Sequence, residues 1–360
     1  MENFLSLIFK ILSNIFGGRS KSKPSEDKSK SPEFIDVNVD NLVKRSKELN
    51  QKFSDIKIPP MDLDWVIQHR SGDNPERSID DVINIAENIR HYQNSDGGWG
   101  KTNNLRDVFS PEDLQKIYNH TFDDDRDRAT SDFDNFCTYG HLEYLIEVYL
   151  ITKDKLFKES ILRGVKYILS AQHKNGSWEN KNHPAITYND NVVQGVLKFL
   201  NKIIPNKDGK YNFLQEFVSD AKDAYEKGIE CILKTQIVRN NKRGVWAQQH
   251  DHETLEPIWG RSYEMPAYVS KESVAVVEVL QEYLEQNPNN QRVKYAIDSA
   301  IQWFRDNRLP EGNWARFYEL DTLKPIFCDR DSKITYNIED LGDDRRYGYG
   351  WFSDLPAKLL

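Results

Sequence analysis

From about residue 38 onward, apolar side chains recur at spacings of three and four, the period of helices that bury a single stripe. Phe213, Phe217, Ala221, Tyr225, Ile229 and Ile232 form one such stripe, and Val293, Ala296, Ile297, Ala300, Ile301 and Phe304 form another. The pattern predicts helices over roughly 78–93, 140–151, 156–172, 191–203, 213–236, 270–286 and 292–307, while strand signals are sparse and short. The punctuation between helices repeats. Gln93 precedes Gly97-Gly98-Trp99, Gln172 precedes Gly176-Ser177-Trp178, Gln236 precedes Gly244-Val245-Trp246, and Gly312-Asn313-Trp314 ends the series. The four tryptophans lie 79, 68 and 68 residues apart, which suits one pair of helices plus its loops. Each glycine is expected to take the left-handed conformation and stop its helix. The tryptophan then folds against the next unit, its N–H left for a polar partner. Hairpins that each leave an apolar face unburied must stack into a solenoid or close into a ring. Few units with long loops favour closure, so the expected fold is all-α, an (α/α) toroid whose irregular loops form a cleft at one end.

The chain has 360 residues, 38% hydrophobic and 29% charged, an ordinary globular composition that excludes a transporter, a collagen-like fibre or a wholly disordered chain. No run of eighteen apolar residues is present, so no helix is expected to span a membrane. The charge of −8 is the wrong sign for a nucleic-acid partner. An acidic substrate would need a local arginine cluster or a bridging cation. Cys137, Cys231 and Cys328, an odd number without a CxxC, offer neither a disulfide framework nor a zinc site. The apolar segment Phe4–Phe16 lacks a basic start and a cleavage site, and reads as an atypical signal, a weak membrane or surface tether, or a frayed helix. Gly17–Pro32 reads as a solvated linker. The expected division is therefore a leader and linker over 1–37 and a catalytic domain over 38–360, with a monomer as the default.

Polar residues gather in four stretches. Asp123–Asn135 carries Asp123, Asp124, Asp125, Asp127, Asp132 and Asp134, a run that suits solvated surface or a calcium-tolerant loop but lacks EF-hand spacing. His183–Asp190 sets Asn189 and Asp190 at the mouth of a helix, where Asn189 also reads as a simple cap. The third stretch runs from Trp246 through His250 and Arg261 to Pro266, and the fourth from Trp314 through Arg330 to Trp351. Aromatic rings beside arginines and carboxylates suit a sugar polymer bearing carboxylates, because rings stack on pyranose faces and guanidinium forks grip carboxylates. Internal ion pairs would use the same residues.

In order, Gly97-Gly-Trp99, Asp134-Asn-Phe-Cys-Thr138, Ile186-Thr-Tyr-Asn-Asp190, Trp246–Met265, Trp314–Glu319, Pro325–Arg330 and Arg345–Tyr349 resemble the motifs of polysaccharide lyase family 10, the pectate lyases. The match covers most of 80–356, with Trp246–Met265 its most specific part. The resemblance implies an (α/α) toroid and calcium-dependent β-elimination of de-esterified polygalacturonate, an extracellular polymer, so export is expected. It also implies Arg261 as the base, Asp134 and Asp190 as acidic residues of the calcium and active-site region, and Arg316 and Arg330 as arginines for substrate carboxylates. Asn135, Asn189, Tyr318, Arg346 and Tyr349 are further implied substrate-binding residues. Phe136 and Cys137 stand where the family has small residues, and Glu179–His183 replaces an aromatic-rich run, which alters the expected subsite shape. Two other readings stay open here: a non-catalytic pectin-binding protein on the same scaffold, and a toroidal glycoside hydrolase using Glu264 and Asp190. The loops are too charged for a terpene cyclase.

Overall fold

The computed structural model describes residues 39–53, 79–101, 105, 110–118, 130–204 and 209–360. The segment at 4–16, the linker after it, and Asp123, Asp124, Asp125 and Asp127 lie outside the described residues. The helices are α1 (Val39–Phe53), α2 (Ile79–His91), α3 (Pro111–Tyr118), α4 (Tyr139–Thr152), α5 (Lys155–Ser170), α6 (Val192–Ile203), α7 (Val218–Thr235), α8 (Ser270–Gln286), α9 (Gln291–Asp306) and the short α10 (Asp343–Gly348). No helix among the described residues is long and apolar enough to cross a membrane.

The hairpin pairs are α1 with α2, α4 with α5, α6 with α7, and α8 with α9. Inner helices α4, α6 and α8 pack in succession, and α2, α5, α7 and α9 form the outer layer, the arrangement of an (α/α) toroid. The middle inner helix, α6, packs against its outer partner α7 and against both α4 and α8. Accordingly α6 buries Val192, Val193, Val196, Leu197, Phe199, Leu200 and Ile203. Asp154 caps α5, accepting from the Leu156 N–H at 2.9 Å, and Asn290 caps α9 through the Val293 N–H at 3.1 Å.

The repeated punctuation has a more specific role than the sequence suggests. The glycines do not end the helices; α2 stops at His91, and Gly97 (φ 97°) closes a separate turn whose Gly97 N–H donates to Asn94 O at 3.0 Å. Gly176 (φ 93°) does the same after α5, and a Cβ there would lie 2.1 Å from Lys227 O of α7. The glutamine that starts each turn clamps it to the next outer helix. Gln172 Nε2 donates to Gly176 O (3.0 Å) and Ala224 O (2.7 Å), and Gln93 and Gln236 repeat the pattern with Ser160 O and Ala296 O. Each tryptophan is fully buried, and its indole N–H returns to the outer helix just left: Trp99 to Ile89 O, Trp178 to Ile168 O, Trp246 to Ile232 O, Trp314 to Phe304 O. The first three of these turns send the chain toward the N-termini of α4, α6 and α8, and the fourth sends it into the C-terminal loops. The long loops therefore gather at one end.

Those loops are tied together by two-residue antiparallel ladders: β1 (Ile186–Thr187) with β2 (Gln249–His250), β3 (Tyr268–Val269) with β5 (Phe317–Tyr318), and β4 (Trp314–Ala315) with β6 (Phe352–Ser353). A second apolar cluster of Tyr263, Met265, Val269, Phe317, Phe327 and Trp351 lies under the C-terminal loops.

Candidate active site

Two short 3-10 turns, Asp134–Phe136 and Asn189–Asn191, precede α4 and α6 and lie against each other. Both use left-handed non-glycine residues, Asn135 (φ 49°) and Phe136 (φ 65°) in the first, Asp190 (φ 49°) and Asn191 (φ 59°) in the second. Such backbone strain persists only where surrounding contacts hold it, and it collects at functional sites. Asp132 supplies part of that hold. Its Oδ1 accepts from the N–H groups of Phe133 (2.7 Å), Asp134 (3.2 Å) and Lys181 (3.4 Å).

Carboxylates are crowded at this end. Asp134 is buried, with Oδ2 2.5 Å from Lys101 Nζ; its Oδ1 and the buried Asp132 Oδ2 and Glu272 Oε2 have no hydrogen-bond partner among the described residues. Burial, then the charges of Asp134 and Glu272, push the Asp190 carboxyl up to about 6, against the pull of Arg261 and Arg316. Burial would lower the Lys101 ammonium, but its hydrogen bond and ion pair with Asp134 raise it. Asp134 and Asp190 sit on touching turns, and the charges of Arg261 and Arg316 both act on the Asp190 carboxyl.

Arg261 lies in a turn where Glu264, almost fully buried, takes its backbone N–H (2.9 Å), its Nε–H (2.9 Å) and its Nη2. Partial burial works to lower the guanidinium, but the Glu264 hydrogen bonds and charge outweigh it and raise it above its ordinary value. The guanidinium lies over the Tyr263 ring at 5.1 Å. Gly260 fits here for lack of a side chain, since a Cβ would sit 2.6 Å from Gln249 Oε1 and 2.8 Å from Glu264 Oε2. Arg316 is buried, paired through Nη2 with Glu272, 3.3 Å from Asn189 Oδ1, and 4.5 Å over the Tyr349 ring. Glu272 is lowered: burial opposes ionisation, and the Arg316 charge and hydrogen bond overcome it.

The other expected residues divide. Asn189 is no cap; its Oδ1 accepts from Gln248 and Arg316 and its Nδ2 donates to Asp190 Oδ2 at 2.9 Å. Tyr349 stacks among Tyr263, Trp351 and Arg316 and donates to Glu264 Oε1 at 3.2 Å. Arg330 is exposed, paired with Asp344 at 2.6 Å and 5.8 Å from the Tyr263 ring. Tyr318 is buried away from these groups, its hydroxyl used by Asn307 O and the Ala315 N–H. Arg346 pairs with Glu339 at 2.9 Å, whereas its neighbour Arg345, which sequence reasoning did not single out, lies 4.5 Å over the Tyr263 ring. His250 is a brace: Ala247 N–H donates to Nε2, Nδ1 faces Leu255 O, and burial lowers the imidazole to about 4.

Lys101, Glu264 and Glu272 were also missed as partners. Lys101 follows a Gly-Gly-Trp motif by two residues, the one signal that would have found it. Glu272 in the first turn of α8 reads from sequence as ordinary helix-dipole compensation. From Asp190, Glu272 and Arg316, a cavity of about 680 Å³ continues down the inner helices. Its walls are charged, with Lys198–Glu278 and Lys202–Glu143 pairs at 2.9 and 2.7 Å, and Phe136 narrows one side.

A family model described as pectic acid lyase matches residues 93–313 and 309–360. Among solved structures, a family 10 polysaccharide lyase from Cellvibrio cellulosa is 23% identical, with a TM-score of 0.63 over 76% of this chain and 89% of that one. An aspartate-to-alanine mutant of a family 10 polysaccharide lyase from that organism, in complex with trigalacturonic acid, is 22% identical, with a TM-score of 0.63 over 76% of this chain and 90% of that one. No curated protein matches.

Proposed function

The chain belongs to the pectic acid lyase family and is a lyase acting on an acidic polysaccharide, and from that premise we propose that it cleaves de-esterified polygalacturonate by calcium-dependent β-elimination with Arg261 as base. The observation that carries this reading is that the touching turns of Asp134 and Asp190 share one end of the fold with the loop that presents Arg261, which is charged and accessible.

In β-elimination the C5 proton passes to the base, the C5–H electron pair forms the C4–C5 double bond, and the C4–O bond breaks to release the chain on the other side. The C5 proton is acidic only while the negative charge spreading into its carboxylate is neutralised. The residues fit a hard cation: the buried Asp134 Oδ1 has no hydrogen-bond partner among the described residues, and Asp190 resists ionisation because it is buried and because Asp134 and Glu272 crowd it. Asp134 and Asp190 would hold calcium, whose chemistry there is to bind the substrate carboxylate and stabilise charge on it. Arg261 is the group with access to substrate, its side chain 44% exposed against 7% for Arg316. To accept a proton it must first lose its own, which Glu264 opposes. The rate therefore rises toward alkaline pH. Arg330 faces a substrate carboxylate, while the buried Arg316, paired with Glu272, keeps Asn189 and Tyr349 in register. We extend the reading to an extracellular site of action, with 38–360 as the catalytic domain.

The test incubates the protein with polygalacturonate and calcium and follows the ultraviolet absorbance of the unsaturated product, with EDTA and Arg261→Lys as controls. EDTA abolishes product, and the variant loses about 10²–10⁴-fold in kcat, the size of a general-base contribution. Reducing ends released without unsaturation, or an Arg261→Lys enzyme of near-normal rate, overturn it.

A further inference from the structure

Away from the carboxylate cluster, two rigid turns bring three metal-ligand side chains to one point. His173 Nε2 lies 3.2 Å and His252 Nε2 3.0 Å from the same oxygen, Glu179 Oε2, and the imidazole centroids are 4.3 Å apart. We infer that His173, Glu179 and His252 bind a divalent first-row transition metal ion, with Zn²⁺ the best match to the ligands. The ion would join the turn after α5 to the loop that carries Arg261.

The donor set argues for this class. Two imidazoles and one carboxylate suit zinc or a neighbouring metal, whereas calcium prefers oxygens alone. Zinc–ligand distances of roughly 2.0–2.2 Å in tetrahedral geometry put ligand atoms about 3.4 Å apart. The present separations reach that by opening a few tenths of an ångström. The two histidines are held by their backbones. His173 N–H donates to Ser177 O at 2.9 Å and its carbonyl accepts from Gly176 at 2.9 Å. His252 follows Asp251, whose Oδ1 takes the N–H groups of Glu253 and Thr254 at 3.0 and 2.7 Å. Asn175 Nδ2 donates to His252 O at 3.1 Å and lies 3.0 Å from Nδ1, which fixes the ring with Nε2 toward Glu179. Metal binding at Nε2 moves the ring proton to Nδ1, where rotation of the Asn175 amide would supply an acceptor. The side chains of His173, Glu179 and His252 are 35%, 32% and 23% exposed, so an ion has an entry path and solvent can complete its coordination. This site uses neither Asp134 nor Asp190, and it is independent of the proposed catalysis.

The experiment uses the full chain, tag-free and metal-stripped, titrated with Co²⁺ while the visible d–d bands are recorded and with Zn²⁺ by calorimetry. One equivalent binds, and Zn²⁺ raises the thermal midpoint. His173→Ala and His252→Ala each weaken uptake by at least the roughly 10–100-fold that loss of a mere supporting partner costs, and remove the thermal gain. Circular dichroism checks that both variants fold, and Glu179→Gln, which keeps shape, weakens binding in parallel. Asp190→Asn leaves Co²⁺ uptake unchanged. The inference is overturned by no uptake, by uptake indifferent to both histidines, or by uptake lost in Asp190→Asn.

Discussion

Asp190 gives the proposed calcium site a pH signature that can be worked out beforehand. Its carboxyl is pushed from an ordinary 3.8 up to about 6 by burial and by Asp134 and Glu272. A raised carboxyl means that the folded, metal-free protein loses stability as pH rises from about 4 to about 6, because ionisation is opposed there. A cation on Asp190 must displace that proton below pH 6. The protonated form outnumbers the ionised one by about tenfold at pH 5, equals it near pH 6 and is about a tenth of it at pH 7. Calcium affinity should therefore rise on the order of tenfold between pH 5 and 7 and flatten above, with up to one proton released per ion at the acid end. Calorimetric titration of calcium in buffers of different ionisation enthalpy measures both quantities. Asp190→Asn removes the rise and the released proton while lowering affinity overall. A wild-type affinity that is flat from pH 5 to 7, or binding without proton release at pH 5, refutes the assignment of Asp190 to the ion.

Glu264→Gln keeps the shape of the acceptor but removes the charge that holds Arg261 protonated. The alkaline rise of kcat/KM should move down by about one pH unit, and a profile whose position is unchanged separates Arg261 from the titrating base. Gly176→Ala puts a methyl group against Lys227 O at a positive φ; a loss of about 2–4 kcal/mol in denaturant unfolding is expected, and a near-neutral result contradicts the close approach of that turn to α7.

The helical frame was legible because its signal is long-range periodicity. The span expected at 270–286 is α8 to the residue, and the other expected helices differ mainly at their ends. The span expected at 213–236 begins instead with a 3-10 turn, Asn212–Phe217, which the apolar stripe does not distinguish from α-helix. The recurrence of Gly-x-Trp was visible, but its mechanics were not. That Gln172 clamps a turn to Ala224 O, 52 residues on, depends on how hairpins stack. The site was legible where a residue sits in a distinctive motif, as Arg261 does, and illegible where geometry separates neighbours. Arg345 and Arg346 are adjacent in sequence, yet a helix turns about 100° per residue, so one faces Tyr263 and the other Glu339. Tyr318 reads from sequence as a loop aromatic two residues from Arg316; its hydroxyl instead reaches Asn307 O at the end of α9 and the Ala315 N–H, and its ring packs edge-on against Trp303.

The charges at the site explain how a protein of net charge −8 can take an anionic polymer. Five cations, Lys101, Arg261, Arg316, Arg330 and Arg345, face six carboxylates: Asp132, Asp134, Asp190, Glu264, Glu272 and Asp344. Each cation already has a carboxylate partner, so a galacturonate carboxylate must win one away, and the surplus charge before it arrives is negative. Exposed pairs exchange partners at little cost; the buried Arg316–Glu272 pair does not, because separating it strands a charge. Arg330, whose pair with Asp344 is exposed on both sides, is therefore the arginine freest to turn toward a substrate carboxylate; Arg261 is accessible but tied to the buried Glu264, and Arg316 holds Asn189 and Tyr349 in register. A divalent ion on Asp134 and Asp190 changes the balance from one negative charge to one positive. On the proposed reading the acidic cluster and the acidic substrate meet through the cation, so removing calcium should abolish substrate binding as well as turnover.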